Sequence, residues 1–205
     1  MKIEKVETFI IGNPPPHFGG HYFIFIKITS NNIIGWGECY APPFHPKVVE
    51  KMIHDVSDRC VIGSDPYKIE HLFRNIYSSG YNQRADLSLM GILSGLEMAC
   101  WDIIGKDLKK PIYELLGGQI RKKLRSYTYL YPSDKDKKNI YNNSELAAER
   151  ALEYVEEGFT AVKFDPVGPY TIYDPRQLSL SSLSLSEQFV SKIRKAVGDK
   201  CDILF

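Results

Sequence analysis

The run Ala161-Val162-Lys163-Phe164-Asp165 carries an ammonium and a carboxylate two residues apart. On an extended strand, side chains at that spacing share a face. Lys163 and Asp165 would therefore stand together as the two kinds of group that move protons. Each has an ordinary alternative. Lys163 suits a strand end, where its stem packs and its charge reaches water. Asp165, followed by Pro166, suits a turn. Three histidines add candidates: His17 and His21 in the segment 13–21, and His45 in the segment 40–46. Both segments mix proline with aromatic residues, a composition fit for a short lid that excludes water, and equally for a plain connector. Arg84, just ahead of a long apolar stretch, could hold an anion or simply solvate the surface. Tyr127, Tyr129 and Tyr131 alternate on one face of a strand, with Tyr131 at the end from which a ligand could be reached.

These side chains need elements to position them. Residues 2–11 alternate as a strand, and the β-rich runs 22–29 and 33–39 meet at Ser30-Asn31-Asn32, a tight-turn sequence because asparagine tolerates positive φ. Together they predict a three-stranded antiparallel meander. Helical spacing of apolar residues predicts helices over about 46–58 and 66–78, the second with Pro66 in its first turn. A third, over about 87–104, is marked by Leu89, Ile92, Leu93, Leu96, Cys100, Ile103 and Ile104, with Gly105 as its left-handed end. From Leu124 the pattern changes to strand (124–131), helix (144 to about 158), strand (160–164), helix (capped by Ser186, stopped by Gly198) and strand (202–205). That alternation belongs to a parallel sheet or a (β/α) barrel. The insertion 167–185, rich in Pro, Ser and Tyr, reads as a long loop.

Composition narrows the function classes. Of 205 residues, 43% are hydrophobic, and 26 basic side chains nearly balance 25 acidic ones. No global field draws the chain to nucleic acid or to an anionic membrane. Cys39, Cys60, Cys100 and Cys201 form no CxxC pair, which fits reduced thiols better than a disulfide scaffold or a zinc site. The start lacks the apolar core of a signal peptide, and no apolar run reads as a bilayer span. The expectation is a soluble, cytoplasmic protein.

Beyond the periodicity, the words themselves are informative. A helix running into Trp101-Asp102, then Gly105-Lys106, Pro111 and Leu115-Leu116-Gly117-Gly118, resembles the junction entering the barrel in the mandelate racemase/muconate-lactonising branch of the enolase superfamily. Gly35-Trp36-Gly37-Glu38 resembles the end of that family's N-terminal meander. The segment 161–165 resembles its lysine-bearing second barrel strand. The resemblance runs from Met1 to Phe205 and implies an α+β capping domain over 1–123, followed over 124–205 by the first three strands of a truncated (β/α) barrel.

It also implies chemistry. Members remove the proton α to a carboxylate while a magnesium ion and preorganised donors stabilise the enediolate. By resemblance the magnesium ligands fall at or beyond Phe205, so no metal ligand is assigned in this chain. Lys163 matches the first lysine of the family's Lys-x-Lys, which contacts the substrate carboxylate or tunes the second. Asp165 stands where the second lysine, the usual base, would be. The segments 13–21 and 40–46 match two loops of the family's site. Lys163 and Asp165 are thus the catalytic candidates, and His17, His21, His45, Arg84 and Tyr131 the substrate-binding ones. Phe205 falls within what should be a buried strand, so the chain reads as a piece of a longer protein. The implied parent is a magnesium-dependent acid-sugar dehydratase, a lyase of carbohydrate-acid catabolism, homo-oligomeric at full length, with a small sugar acid as its partner. A racemase or cycloisomerase is the catalytic alternative. The alternative of another class is a capping fragment inactive alone, prone to associate through open strand edges.

Overall fold

Strict alternation along the first forty residues forms the expected meander. In the computed structural model, which describes residues 1–15, 17, 19–40, 44–82, 84–166 and 178–205, strands β1 (Ile3–Gly12), β2 (Tyr22–Ser30) and β3 (Ile33–Cys39) pair antiparallel in the order β1-β2-β3. Asn31 and Asn32 take φ of 48° and 65° between β2 and β3, the twist-compatible hairpin turn. On β2, Ile24, Ile26 and Ile28 are fully buried and define the inner face. The chain divides into two compact units, Met1–Ile120 and Arg121–Phe205.

In the first unit, helices α1 (Pro46–Val56), α2 (Ile69–Ser79), α3 (Leu87–Leu108) and the short α4 (Ile112–Leu115) follow the meander. One π-helical turn, Ser57–Val61, extends α1. Helix α3 starts at Asp86, whose carboxylate accepts the Leu89 N–H at 2.7 Å. It lies directly on β3. A Cβ at Gly35 or Gly37 would overlap the backbone carbonyl of Ala99 or Gly95. Glycines there let strand and helix backbones touch, which Gly35-x-Gly37 makes possible.

The same helix finishes the sheet edge. Asp102 accepts the Trp36 N–H at 2.8 Å, and Lys106 donates to the Ile34 carbonyl at 2.7 Å. The two side chains also pair with each other at 2.7 Å. An acid and a base one helical turn apart thus take the donor and acceptor that a fourth strand would have taken. This gives Trp101-Asp102 and Gly105-Lys106 a physical meaning.

Three expectations for this unit need correction. Gly105 does not end α3; it is buried inside the helix, where a Cβ would press to 2.9 Å on the Lys110 carbonyl. The left-handed residue is Lys109, φ 53°. Pro66 lies in the turn before α2 rather than in its first turn, because the helix begins at Ile69. And α3, at 22 residues and mean hydropathy 1.5, is long and apolar enough to cross a bilayer by those measures. Its apolar length is accounted for by packing, since Ile92, Leu96, Cys100 and Ile103 are core residues of the first unit.

The Lys109 conformation carries an expected result. A non-glycine left-handed residue costs about 1–2 kcal/mol, partly offset by the greater unfolded-state freedom of glycine. Lys109→Gly should raise stability by about 0.5 kcal/mol in denaturant titration. A lower midpoint would show that the Lys109 side chain supports the helix end.

The second unit runs strand–helix–strand–helix–strand. Strands β4 (Thr128–Tyr129), β5 (Ala161–Lys163) and β6 (Asp202–Leu204) are parallel in the order β4-β5-β6. Between them lie α5 (Ser144–Glu156), capped by the Asn143 side chain, and α6 (Leu180–Val197). Val162, Phe164, Phe189, Ile193 and Val197 form its core. The first strand is shorter than the expected 124–131. Leu124 is exposed, and pairing begins at Thr128 and continues to the Leu130 N–H, which donates to the Lys163 carbonyl at 2.8 Å. Helix α6 starts earlier than expected: Ser179 caps it, accepting the Ser182 N–H, while Ser186 sits inside and donates to the Ser182 carbonyl. Of the insertion read as a loop over 167–185, residues 167–177 lie outside the described residues, and 180–185 are helical.

Candidate active site

Parallel pairing puts the C-terminal ends of β4, β5 and β6 at one end of the second unit's sheet. Lys163 is in register with Tyr129. It is half-buried, and its ammonium lies 5.8 Å from the centroid of the Tyr127 ring, within cation–π range. The Tyr129 and Tyr131 rings are 5.2 Å apart. Burial first, and then the negative charge of Asp165, push the Tyr129 phenol above its ordinary value. Asp165 itself is exposed, two residues beyond Lys163. Tyr131 thus follows the end of β4, and Lys163 and Asp165 stand at and just beyond the end of the neighbouring β5.

The structure adds Tyr141, on a single 3-10 turn Ile140–Asn142. Burial and the neighbouring Tyr131 raise its phenol too. Tyr141 carries no periodic signal, so spacing could not have marked it. Arg150 was also missed. Its side chain, on α5, is only 10% exposed.

The first unit brings the two histidine segments together. A cavity of about 570 Å³ is lined by residues of 19–23 and 38–46, among them His21, Tyr22, Glu38, Cys39, Phe44 and His45. The His17 and His21 rings lie 4.2 Å apart, and His17 Nδ1 is 2.6 Å from the Asn13 carbonyl oxygen. His45 has a structural duty as well: its Nδ1 accepts the Lys47 N–H at 3.2 Å and caps α1. Cys39 is no nucleophile at neutral pH, because burial pushes its thiol up to about 11. Arg84 is not among the lining residues; it is exposed, with its guanidinium 5.6 Å from the Tyr77 ring centroid. A larger hollow of about 670 Å³, lined by Tyr67, Trp101, Ile104, Leu108 and Leu115 among others, lies beside α3. Its mainly apolar wall makes it the weaker candidate for proton chemistry.

Among the described residues no three His, Cys, Asp or Glu side chains are placed to hold a metal ion. The described side chains therefore do not make a magnesium site.

Residues 18–117 match the model of the mandelate racemase/muconate lactonizing enzyme N-terminal domain. D-gluconate/D-galactonate dehydratase of Picrophilus torridus is 30% identical over 206 residues, covering 98% of this chain and 49% of that protein. D-galactonate dehydratase of Pectobacterium atrosepticum is 36% identical over 131 residues, 63% of this chain and 31% of that one. A crystal structure from Sulfitobacter sp., a mandelate racemase/muconate lactonizing enzyme, superposes with a TM-score of 0.93 at 45% identity, covering 100% of this chain and 52% of that one. The chain spans about half the length, or less, of the relatives it matches. With the meander, the Gly35-x-Gly37 contact to α3 and the parallel βαβαβ unit all in place, the chain belongs to the mandelate racemase/muconate lactonizing enzyme family of the enolase superfamily.

Proposed function

We propose that this chain is the N-terminal part of an acid-sugar dehydratase, which removes the proton α to a carboxylate and expels the β-hydroxyl as water. The observation that carries this reading is the likeness to D-gluconate/D-galactonate dehydratase along 98% of the chain. The strand-end geometry is in keeping with it. Lys163 offers an ammonium for the substrate carboxylate, and Asp165 a carboxylate that orients a hydroxyl or relays a proton. With Asp165 rather than a lysine at the second position, β5 supplies no second ammonium for two-base racemisation. Loss of the proton and of β-hydroxide leaves an enol, which tautomerises to a 2-keto-3-deoxy acid. Magnesium, which the superfamily generally uses, would supply charge stabilisation of the enediolate, but its ligands are not provided by the described residues. A cytoplasmic, homo-oligomeric enzyme remains part of the proposal.

The test is to incubate the full-length protein carrying this sequence with aldonic and aldaric acids plus magnesium, and to assay 2-keto-3-deoxy product. Product from at least one aldonate is expected. Solvent-deuterium exchange at the α carbon without elimination would move the reading to a racemase or cycloisomerase. No product and no exchange across the library would sink it. The 205-residue chain assayed alone is expected to show no turnover.

A further inference from the structure

The side chains of Arg150 and Asp136 are 10% and 8% exposed and meet at 2.8 Å, a buried ion pair within the second unit. Arg150 reaches from α5 to the segment that follows β4. One guanidinium nitrogen donates to the Tyr131 carbonyl at 2.8 Å, the other to Asp136 Oδ1 at 2.8 Å. The far Asp136 oxygen accepts the Ser133 N–H at 2.7 Å. Glu153 lies against the guanidinium at 2.7 Å from the solvent side. Arginine's planar fork holds two points of the segment 131–136 at once, and Asp136 ties in a third through Ser133, a geometry a lysine could not reproduce. That segment leads to Tyr141 and begins with Tyr131, whose ring stands beside Tyr129 and therefore beside the register position of Lys163.

We propose that the segment 131–141 is a fixed wall of the substrate site at the end of β4, and that Arg150, braced by Asp136, is the positioning residue that holds it. The inference rests on the proposed placement of the site at the strand C-terminal ends. Its ligand class is the hydroxylated chain of a sugar acid, since the wall presents the phenols of Tyr131 and Tyr141, which donate and accept hydrogen bonds. A buried ion pair is weak support for stability as such, because hydrophobic replacement of both partners is often neutral. Holding the wall gives the pair a role beyond stability.

Two variants of the full-length protein test this. Arg150→Lys keeps the charge and loses the fork. The double variant Arg150→Met/Asp136→Leu removes the pair without orphaning either charge, so the fold should persist. Hydrogen exchange followed by mass spectrometry reads the wall without reference to activity. Peptides covering 131–141 should exchange at least tenfold faster in both variants, while those of α6 stay unchanged. On a turned-over aldonate, kcat/KM should fall about tenfold in Arg150→Lys and further in the double variant, well below the thermal transition of each. Unchanged exchange in 131–141 would overturn the brace, whatever the protein acts on. Faster exchange with unchanged kcat/KM would leave the brace standing and overturn its place in the site. If the wild-type protein acts on no sugar acid, the dehydratase reading fails, and the exchange result still decides the brace.

Discussion

Lys163→Ala in the full-length protein should lower kcat/KM by about a hundredfold or more, the range for a lost electrostatic stabiliser or proton-transfer group. That is roughly 2.7 kcal/mol of transition-state stabilisation. The reason is position. Lys163 ends β5, in register with Tyr129, and its ammonium lies 5.8 Å from the centroid of the Tyr127 ring. A cation held there has little freedom to lose when it meets a substrate carboxylate. Folding should be nearly unchanged, because a half-buried strand-end lysine contributes little core. Asp165→Asn should cost less if the aspartate only orients a hydroxyl, and about as much if it relays a proton. Steady-state kinetics together with a thermal melt separates these cases. Near wild-type turnover for Lys163→Ala would show that the lysine is structural and that β5 does not carry the chemistry.

The second large effect is on stability. Gly37→Ala should destabilise the protein by about 3 kcal/mol or more, the upper range for overpacking, because the added Cβ meets backbone that cannot rotate away. The obstacle is the Gly95 carbonyl of α3, with the Ala99 nitrogen only 3.1 Å from the same Cβ position. Relief requires lifting the helix off the sheet, which also pulls Asp102 and Lys106 from the β3 edge. Gly12→Ala is the control, since nothing lies within 4 Å of a Cβ there. Urea titration should show a greatly lowered midpoint for the first and almost none for the second. A Gly37→Ala midpoint equal to wild type would mean that α3 rides loosely on β3.

What was legible in the sequence followed from strict periodicity. The meander declared itself through alternation, and its turn through two adjacent asparagines with positive φ. Both parallel strand ends that carry Lys163 and Tyr131 were readable from βαβ alternation. Errors arose where one residue type serves two physical purposes. Gly105 looks like a helix stop, yet its lack of a Cβ serves contact with the Lys110 carbonyl, and a lysine takes the left-handed position. Ser186 looks like a cap, yet a serine-rich first turn hid the true start at Ser179, since serine competes with helix locally. Tyr141 and Arg150 were invisible because their significance lies in contacts across the fold rather than in spacing.

The covered edge of β3 has a consequence for the order in which the chain is made. Asp102, which takes the Trp36 N–H, is 66 residues downstream of it. At about 5–20 residues per second, synthesis needs roughly 3 to 13 s to deliver that carboxylate after Trp36 has been joined. Throughout that interval the meander lacks the completed α3 and its edge cover, and β3 is open to any passing strand. Nascent chains arrested between Trp36 and Asp102 form the aggregation-sensitive stage of this protein's biogenesis, and release of the Asp102–Lys106 turn closes it.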